Sequence, residues 1–455
     1  MDLERDLDLV ETPGLGDTSY LLASYDEALV VDPQRDAGRL LAAAEARGAR
    51  VRFVLETHVH NDYVSGAAEV RAATGARVVG PADAGYAFPF DPMEEGAELQ
   101  VGDLRLVALR TPGHTPEHTS YALHRTGSEE VLAVFSGGSL LVGSAGRTDL
   151  LGADRTQELT RAQFRTMRRF AEMPGGVMVL PTHGAGSFCA SGPTQDDRTS
   201  TIERERASNP ALRAPDEETF VREQLSGLLA FPAYYAHMAP INRAGPQVRG
   251  AVPGAPPISP QDLERAAASG ARLVDARPGA DFAAAHVAGS LNVPLEDSFA
   301  SYVGWLVPFG TPIALIADAS DVVTEATTQL FRIGYEVLGA LDGGVDAWAV
   351  SSRPVISYPV ATVADVIEEA RAGGGRILDV RQRAEWDAGH VPGSRHCFVG
   401  DLPLHLSDLA SAEETIVACA SGHRSAMAAS LLDAAGASVR LVARGGVPNA
   451  LRRMG

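Results

Sequence analysis

The sequence predicts a multidomain α/β chain, and three observations carry that expectation. Apolar runs of strand length alternate with segments of helical spacing along the whole chain. The C-terminal part repeats itself: Asp275 recurs as Asp379, 104 positions on, and Gly343 as Gly445, 102 positions on. The length, 455 residues, implies roughly two to four domains.

Composition narrows the functional classes. The apolar fraction is 45% and the charged fraction 21%, ordinary for a globular protein. No apolar run reaches the roughly 18 residues of a membrane span. The start, Met1-Asp2-Leu3-Glu4-Arg5-Asp6, is acidic and lacks a secretory pattern. A net charge of −19 without a basic stripe argues against a nucleic-acid partner. The three cysteines, Cys189, Cys397 and Cys419, are too few for a disulfide framework and fit a reducing cytoplasm. The expected partners are small molecules, with no nucleic acid and no membrane; the sequence leaves open whether the chain forms a homo-oligomer.

Taken in order, residues 19–23 and 28–31 read as strands and 40–47 as a helix. The apolar run 51–55 reads as a buried strand leading into Glu56-Thr57-His58-Val59-His60-Asn61-Asp62-Tyr63. Alternate residues of an extended segment point the same way, so His58 and His60 aim at one point with Asp62 close by. Two imidazoles on one point suit a divalent transition metal. The competing reading is a polar loop whose histidines merely hydrogen-bond. Against it, two later segments each follow a strand with a turn carrying one histidine: Thr111-Pro112-Gly113-His114 and Pro181-Thr182-His183-Gly184. Strands are expected at 78–79 and 99–109, and 160–173 reads as an amphipathic helix packing through Phe164, Met167 and Phe170.

These segments, with Val31-Asp32-Pro33 and Gly146-Arg147-Thr148-Asp149, resemble the metallo-β-lactamase superfamily over residues 1–210. Within it they are most similar to the persulfide dioxygenase and glyoxalase II branch. The resemblance implies an αββα sandwich with the histidines on one rim. The family's loop signature is His-x-His-x-Asp-His, and its last histidine is Tyr63 here. The family's metal-binding Asp in the stretch 135–140 is Gly138 here. A second metal position, which would use Asp62 and His183, thereby loses half its ligands. No dinuclear site is expected, and Asp62 and His183 become lesser candidates. What remains is a three-imidazole site of His58, His60 and His114, suited by ligand type to a single iron (Fe2+) or to zinc. The alternative is a metal-free scaffold. Tyr63 either fills the vacated second-metal space or donates a hydrogen bond to a metal-bound species. By the same resemblance Arg147 would bind a substrate carboxylate, unless it is committed to an ion pair with Asp149. Cys189 is read as a small buried apolar residue before a redox thiol.

From 211 to 258, prolines break any long periodicity, and the stretch reads as an aromatic and proline-rich connector, with residues 231–238 expected to dock on a domain and residues 250–257 to be an exposed linker. The repeated block then reads as one small α/β domain used twice, over 259–355 and 360–455, each with a parallel sheet. Asp275, Arg277, Asp379 and Arg381 are expected to fix strand-end turns through ion pairs. Cys397 is read as apolar filler.

The two copies differ in one loop. In the second, the strand 415–418 runs into Cys419-Ala420-Ser421-Gly422-His423-Arg424-Ser425 and then a helix over 426–435. A thiol between a strand end and a helix start faces free backbone N–H groups and the positive end of the helix dipole, both of which favour a thiolate. Gly422 permits a tight curl, and Arg424 adds a fixed positive charge. This loop, and the repeat as a whole, resembles the rhodanese domain. Four residues, Ala420 to His423, separate Cys419 from Arg424; a cysteine-phosphatase loop has one more. The resemblance implies that Cys419 carries a persulfide, cradled by Ala420, Ser421, Gly422, His423 and Ser425, with Arg424 in the catalytic loop. The competing reading is a buried, unreactive cysteine. The first copy has Ala317-Asp318-Ala319-Ser320-Asp321 at this place and is expected to be inactive.

Together the resemblances imply a cytoplasmic enzyme of sulfur metabolism. One domain would oxidise a low-molecular-weight persulfide, such as glutathione persulfide, to sulfite. The other would transfer sulfane sulfur through Cys419, with sulfite and thiosulfate as small-molecule partners. Two alternatives stand beside this: a rhodanese sulfurtransferase on a catalytically degenerate lactamase-like scaffold, and a mononuclear zinc hydrolase of thioesters.

Overall fold

The computed structural model describes residues 5–192, 194–409 and 413–454; residues 1–4 of the acidic N-terminal hexapeptide lie outside them. The chain falls into two compact units, Met1–Val252 together with Arg332–Gly334, and Pro253–Phe331 together with Tyr335–Gly455.

In the first unit, side-chain parity sets the layers. Every residue of the strand Asp17–Ser24 is buried, because both its faces are covered. Tyr20 and Leu22 point into a core between two sheets, while Leu21 and Ala23 face an outer helix layer. The neighbouring strand Glu27–Val31 does the same, with Leu29 and Val31 inward and Ala28 and Val30 outward. One six-stranded sheet takes its strands in chain order, from Leu7–Thr12 to Asp91–Met93. The other orders Ser200–Thr201, Met178–Pro181, Val131–Gly137, Thr119–Arg125, Leu104–Arg110 and Glu98–Val101. Helices Gly38–Ala46 and Ala67–Thr74 cover the first sheet and Ala153–Ala171 covers the second, which completes an αββα sandwich. The run 99–109, expected as one strand, is a hairpin that turns at Gly102, whose φ of +56° suits glycine.

Most of the stretch read as a connector folds onto this unit, beyond the docking expected of residues 231–238, while residues 250–257 stay largely exposed. Pro210 stands in the first turn of a short helix, Pro210–Arg213, where no backbone N–H is needed, and Asn209 caps it. Ala211, Leu212 and Phe220, the last from the helix Glu217–Ser226, enter the core beside Met167 and Phe170. A further helix, Tyr235–Ala244, carries Pro240 inside it. The prolines therefore start or tolerate helices here, where sequence periodicity suggested a break.

The second unit holds two five-stranded sheets, parallel throughout. The first orders Pro257–Ile258, Val337–Leu341, Ile313–Ile316, Arg272–Asp275 and Leu291–Asn292. The second repeats the order with Val360–Ala361, Val439–Val442, Thr415–Ala418, Ile377–Asp379 and Arg395–His396. The same clasp closes the third element of each: Arg277 pairs with Asp275 and donates to the Ala285 carbonyl at 2.8 Å, and Arg381 pairs with Asp379 and donates to the Gly389 carbonyl at 2.8 Å. Among the described residues no helix is long and apolar enough to cross a membrane.

Candidate functional site

The strand Arg50–Leu55 delivers a loop that is buried from Glu56 to Ser65. Asp32 organises it from the neighbouring strand end, in a left-handed conformation with φ of +47°. Its carboxylate accepts the Thr57 N–H and the Thr57 hydroxyl, each at 2.7 Å, and also the Thr182 hydroxyl beside His183.

Four imidazoles converge on this rim, each anchored through one ring nitrogen. His58 Nδ1 lies 2.8 Å from Thr57 Oγ1, and His60 Nε2 lies 3.0 Å from Glu56 Oε2 and 3.3 Å from Asp32 Oδ1. His114 Nδ1 is 2.7 Å from the Arg147 carbonyl, and His183 Nδ1 is 2.8 Å from Asp17 Oδ1. Anchoring of this kind fixes the tautomer and aims the second nitrogen. The second nitrogens lack ordinary partners. His58 Nε2 and His183 Nε2 face each other at 3.3 Å, while His60 Nδ1 and His114 Nε2 are buried without a hydrogen bond. Burial pushes His58 and His114 well below the ordinary imidazole range, so their lone pairs are free. Burial also acts on His60, but Asp32 and Glu56 outweigh it and raise its pKa. Burial, with the mutual repulsion of two carboxylates, pushes Asp62 up to about 7. Buried lone pairs without donors are what a metal ion satisfies.

Candidate donor atoms lie within 4.8 Å of one another in three groups: His58, His114 and His183; Asp32, His58 and His60; and His60, Asp62 and His183. The expected histidines are thus brought to one place, but His58, His60 and His114 do not form a single group, because Glu56 and Asp32 draw His60 aside. His183, expected as a lesser candidate, belongs to two groups.

Sequence reasoning missed several residues that build this site. His118 stacks over His58 with ring centres 4.9 Å apart, and its Nε2 accepts the Gly138 N–H at 2.9 Å. Its spacing of four from His114 was the available signal. From the supposed connector, the Tyr234 hydroxyl donates to the Asp62 carbonyl at 2.7 Å. Asn242 donates to the His60 and Tyr63 carbonyls, both at 2.9 Å, and accepts the Ser65 N–H at 2.9 Å. Tyr63 packs its ring against His60, 4.4 Å between centres, and its hydroxyl donates to the Asp32 backbone carbonyl at 3.3 Å, so its donor is turned to the chain.

Arg147 corrects the substrate-binding expectation. It is buried, pairs with both oxygens of Asp149 at 2.7 Å, and donates to the Phe188 and Leu229 carbonyls at 3.0 and 2.8 Å. Its donors are spent on holding chain segments together. Cys189 is buried, with its thiol pushed well above the ordinary range by burial.

In the second unit, the strand Thr415–Ala418 lies inside its sheet and leads through Cys419 into the helix His423–Ala434. The Cys419 sulfur is fully buried and accepts the Gly422 N–H at 3.1 Å. Ser425 Oγ lies 3.5 Å from it. Gly422 has a φ of +120°, and a Cβ there would lie 2.1 Å from the Ala443 carbonyl oxygen, so the curl requires glycine. Arg424 forms a two-pronged ion pair with Glu385, with Nη2 to Oε1 at 2.9 Å. The His423 side chain turns toward the first copy, where its ring centre is 5.6 Å from that of Tyr302. Trp305, on the first copy's helix Phe299–Leu306, packs on Phe398 with ring centres 4.9 Å apart. In the first copy Ala317 stands where Cys419 stands, since the Ala276 N–H meets the Ile316 carbonyl as the Val380 N–H meets that of Ala418.

Comparison with known proteins agrees with this division. Residues 12–183 match the metallo-beta-lactamase superfamily, and residues 259–351 and 362–448 each match the rhodanese-like domain. A hydroxyacylglutathione hydrolase of Methylobacterium nodulans is 32% identical over 205 residues, covering 39% of this chain and 75% of its own. One from Cereibacter sphaeroides is 35% identical over 182 residues, again 39% of this chain; the chain spans 66% of that relative's length. A solved metallo-beta-lactamase from Staphylococcus aureus subsp. aureus COL is 28% identical, with a TM-score of 0.67, covering 73% of this chain and 98% of its own. The chain belongs to the metallo-beta-lactamase superfamily through its N-terminal domain and continues into two rhodanese-like domains.

Proposed function

We infer that the protein is a sulfur-handling enzyme that takes up and passes on sulfane sulfur at Cys419 and acts on a low-molecular-weight persulfide at its histidine cluster. One observation carries the first half: the Cys419 sulfur accepts a backbone N–H at 3.1 Å inside a loop that opens a helix. Such a donor, with the helix N-terminus, stabilises sulfur as an anion both before and after transfer. Thiolate attack on the outer sulfur of thiosulfate breaks its S–S bond, forms the Cys419 persulfide and releases sulfite. A second thiolate then attacks the outer sulfur of that persulfide and leaves Cys419 as thiolate again.

For the first unit, the buried nitrogens without partners support a metal held by His58, His114 and His183, with His60 and Asp62 beside them. Such an ion would supply Lewis acidity, and redox capacity if it is iron. The chain's own part is to keep those imidazoles neutral and aimed, through Thr57, Asp17 and the Arg147 carbonyl. The overall reaction proposed is persulfide, dioxygen and water giving thiol, sulfite and two protons. Oxygen uptake on glutathione persulfide, measured with the iron content of the purified protein, tests it. Uptake that follows iron supports the reading, and iron without uptake refutes it.

The names of the curated relatives, hydroxyacylglutathione hydrolases, favour a second reading for this unit, hydrolysis of an acylglutathione thioester, for which the imidazole set also suits zinc. Cleavage of a glutathione thioester in proportion to bound zinc would establish it. Sulfur transfer with neither uptake nor cleavage would leave the first unit as a scaffold for the Cys419 domain.

A further inference from the structure

The inactive rhodanese-like copy has a cavity of its own. It measures about 440 Å³ and is framed by the first copy's positions 276–279, 294–296, 318, 319 and 322 and closed on one side by Ser421, Gly422 and His423 of the second. Repeat equivalence explains why space exists there. Ala317 replaces the reactive cysteine, and only Asp318 and Ala319 separate it from the helix Ser320–Arg332, one residue fewer than in the second copy. The shortened loop lines the cavity instead of curling over a sulfur atom.

The chemistry of the lining is one-sided. Glu296 and Asp318 are solvent-facing carboxylates with no arginine within 4 Å among the described residues, although the charge of Asp318 reaches Arg277. The one cation, Arg277, is already neutralised by Asp275 through Nε and Nη2. Pro294, Leu295 and Val322 add apolar wall. His423 is the decisive residue. Its side chain is 9% exposed, its Nδ1 lies 3.1 Å from Glu296 Oε2 without the alignment of a hydrogen bond, and its Nε2 is buried with no partner. Burial and the nearby Arg424 push its pKa down to about 4, so at neutral pH the ring is uncharged and one of its nitrogens offers a lone pair. Two carboxylates, a neutral imidazole and an apolar wall exclude anions such as sulfite and thiosulfate. They match a protonated amine on a short apolar body, and the volume is in the range that holds small organic ligands.

We propose that this cavity is a binding site for a small organic ammonium compound, adjoining the sulfur-transfer site and sharing with it the loop that carries Cys419. The ammonium is held between Glu296 and Asp318, with a hydrogen bond to His423, and the apolar body lies on Pro294, Leu295 and Val322.

The test is calorimetric titration of the full chain with n-pentylammonium, pentanol and pentanoate, which share a chain length and differ in head group. The expected result is saturable binding of n-pentylammonium at least tenfold tighter than pentanol, and no binding of pentanoate. The paired variant Glu296→Gln, Asp318→Asn should weaken n-pentylammonium at least tenfold. Ala319→Phe, which fills the cavity and leaves the charges in place, should abolish binding, so the result stands even if the paired variant folds poorly. Absence of n-pentylammonium binding, equal binding of pentanol, or binding that survives Ala319→Phe overturns the proposal.

Discussion

Gly138 lies directly against the ring of His114: a Cβ on Gly138 would fall 2.4 Å from His114 Cδ2 and 2.8 Å from Nε2. The missing carboxylate and the position of the imidazole are therefore one feature, since the ring occupies the place a side chain would take. Gly138→Asp should lower bound metal by displacing His114, and Gly138→Ala should do the same with the fold intact. Elemental analysis of the purified variants beside His114→Ala checks this. A gain of metal in Gly138→Asp would show that the two side chains can coexist.

Asn242 makes three buried hydrogen bonds to the backbone of the histidine loop. Asn242→Ala leaves two carbonyls and one N–H of that loop unsatisfied, so a loss of about 2–4 kcal/mol is expected. Urea denaturation measures it, and metal content should fall in parallel. An unchanged midpoint would mean that the segment 235–244 does not support the site.

Gly446 backs the sulfur loop. A Cβ there would lie 2.0 Å from the Cys419 carbonyl oxygen, which also accepts the Val447 N–H at 2.9 Å. Gly446→Ala should displace the loop, cut thiosulfate:cyanide transfer at least tenfold and destabilise the protein by about 1–3 kcal/mol. Gly375→Ala, with open space around it, is the matched control and should leave the transfer rate unchanged.

The Glu385–Arg424 pair predicts a pH dependence. Burial pushes the Glu385 carboxyl up, but the hydrogen bond and charge of Arg424 outweigh it and hold it below its ordinary value. A carboxylate lowered on folding stabilises above its unfolded pKa, about 4.3, and loses that contribution as pH falls through the lower folded value. Glu385→Gln should therefore be less stable than the parent at pH 7, with the difference closing below about pH 4. Thermal melts across that range measure it; a constant gap would show that the pair does not titrate with folding.

The chemistry-bearing loops were legible in the sequence because each depends on local order. His58 and His60 sit two apart after a strand, and Cys419 sits between a strand and a helix, so spacing alone places them. Asp32 and Asp17, which aim the imidazoles, were harder to see, because their partners lie elsewhere in the chain: Asp17 meets His183 only once two sheets stack. The prolines of 210–244 misled for a related reason. Their helices exist because Leu212, Phe220 and Tyr234 find a core to enter, which periodicity does not report. Arg147 was placed at the substrate by resemblance, with an ion pair to Asp149 as the alternative, and it is the pair that forms, two residues away.

The most direct measurement is mass spectrometry of the full chain after incubation with thiosulfate and rapid alkylation, followed by peptide mapping. The account predicts one added sulfur atom on the peptide containing Cys419, absent in Cys419→Ser and removed by cyanide. Added sulfur on Cys397 or Cys189 instead, or no adduct with the fold intact, would contradict it.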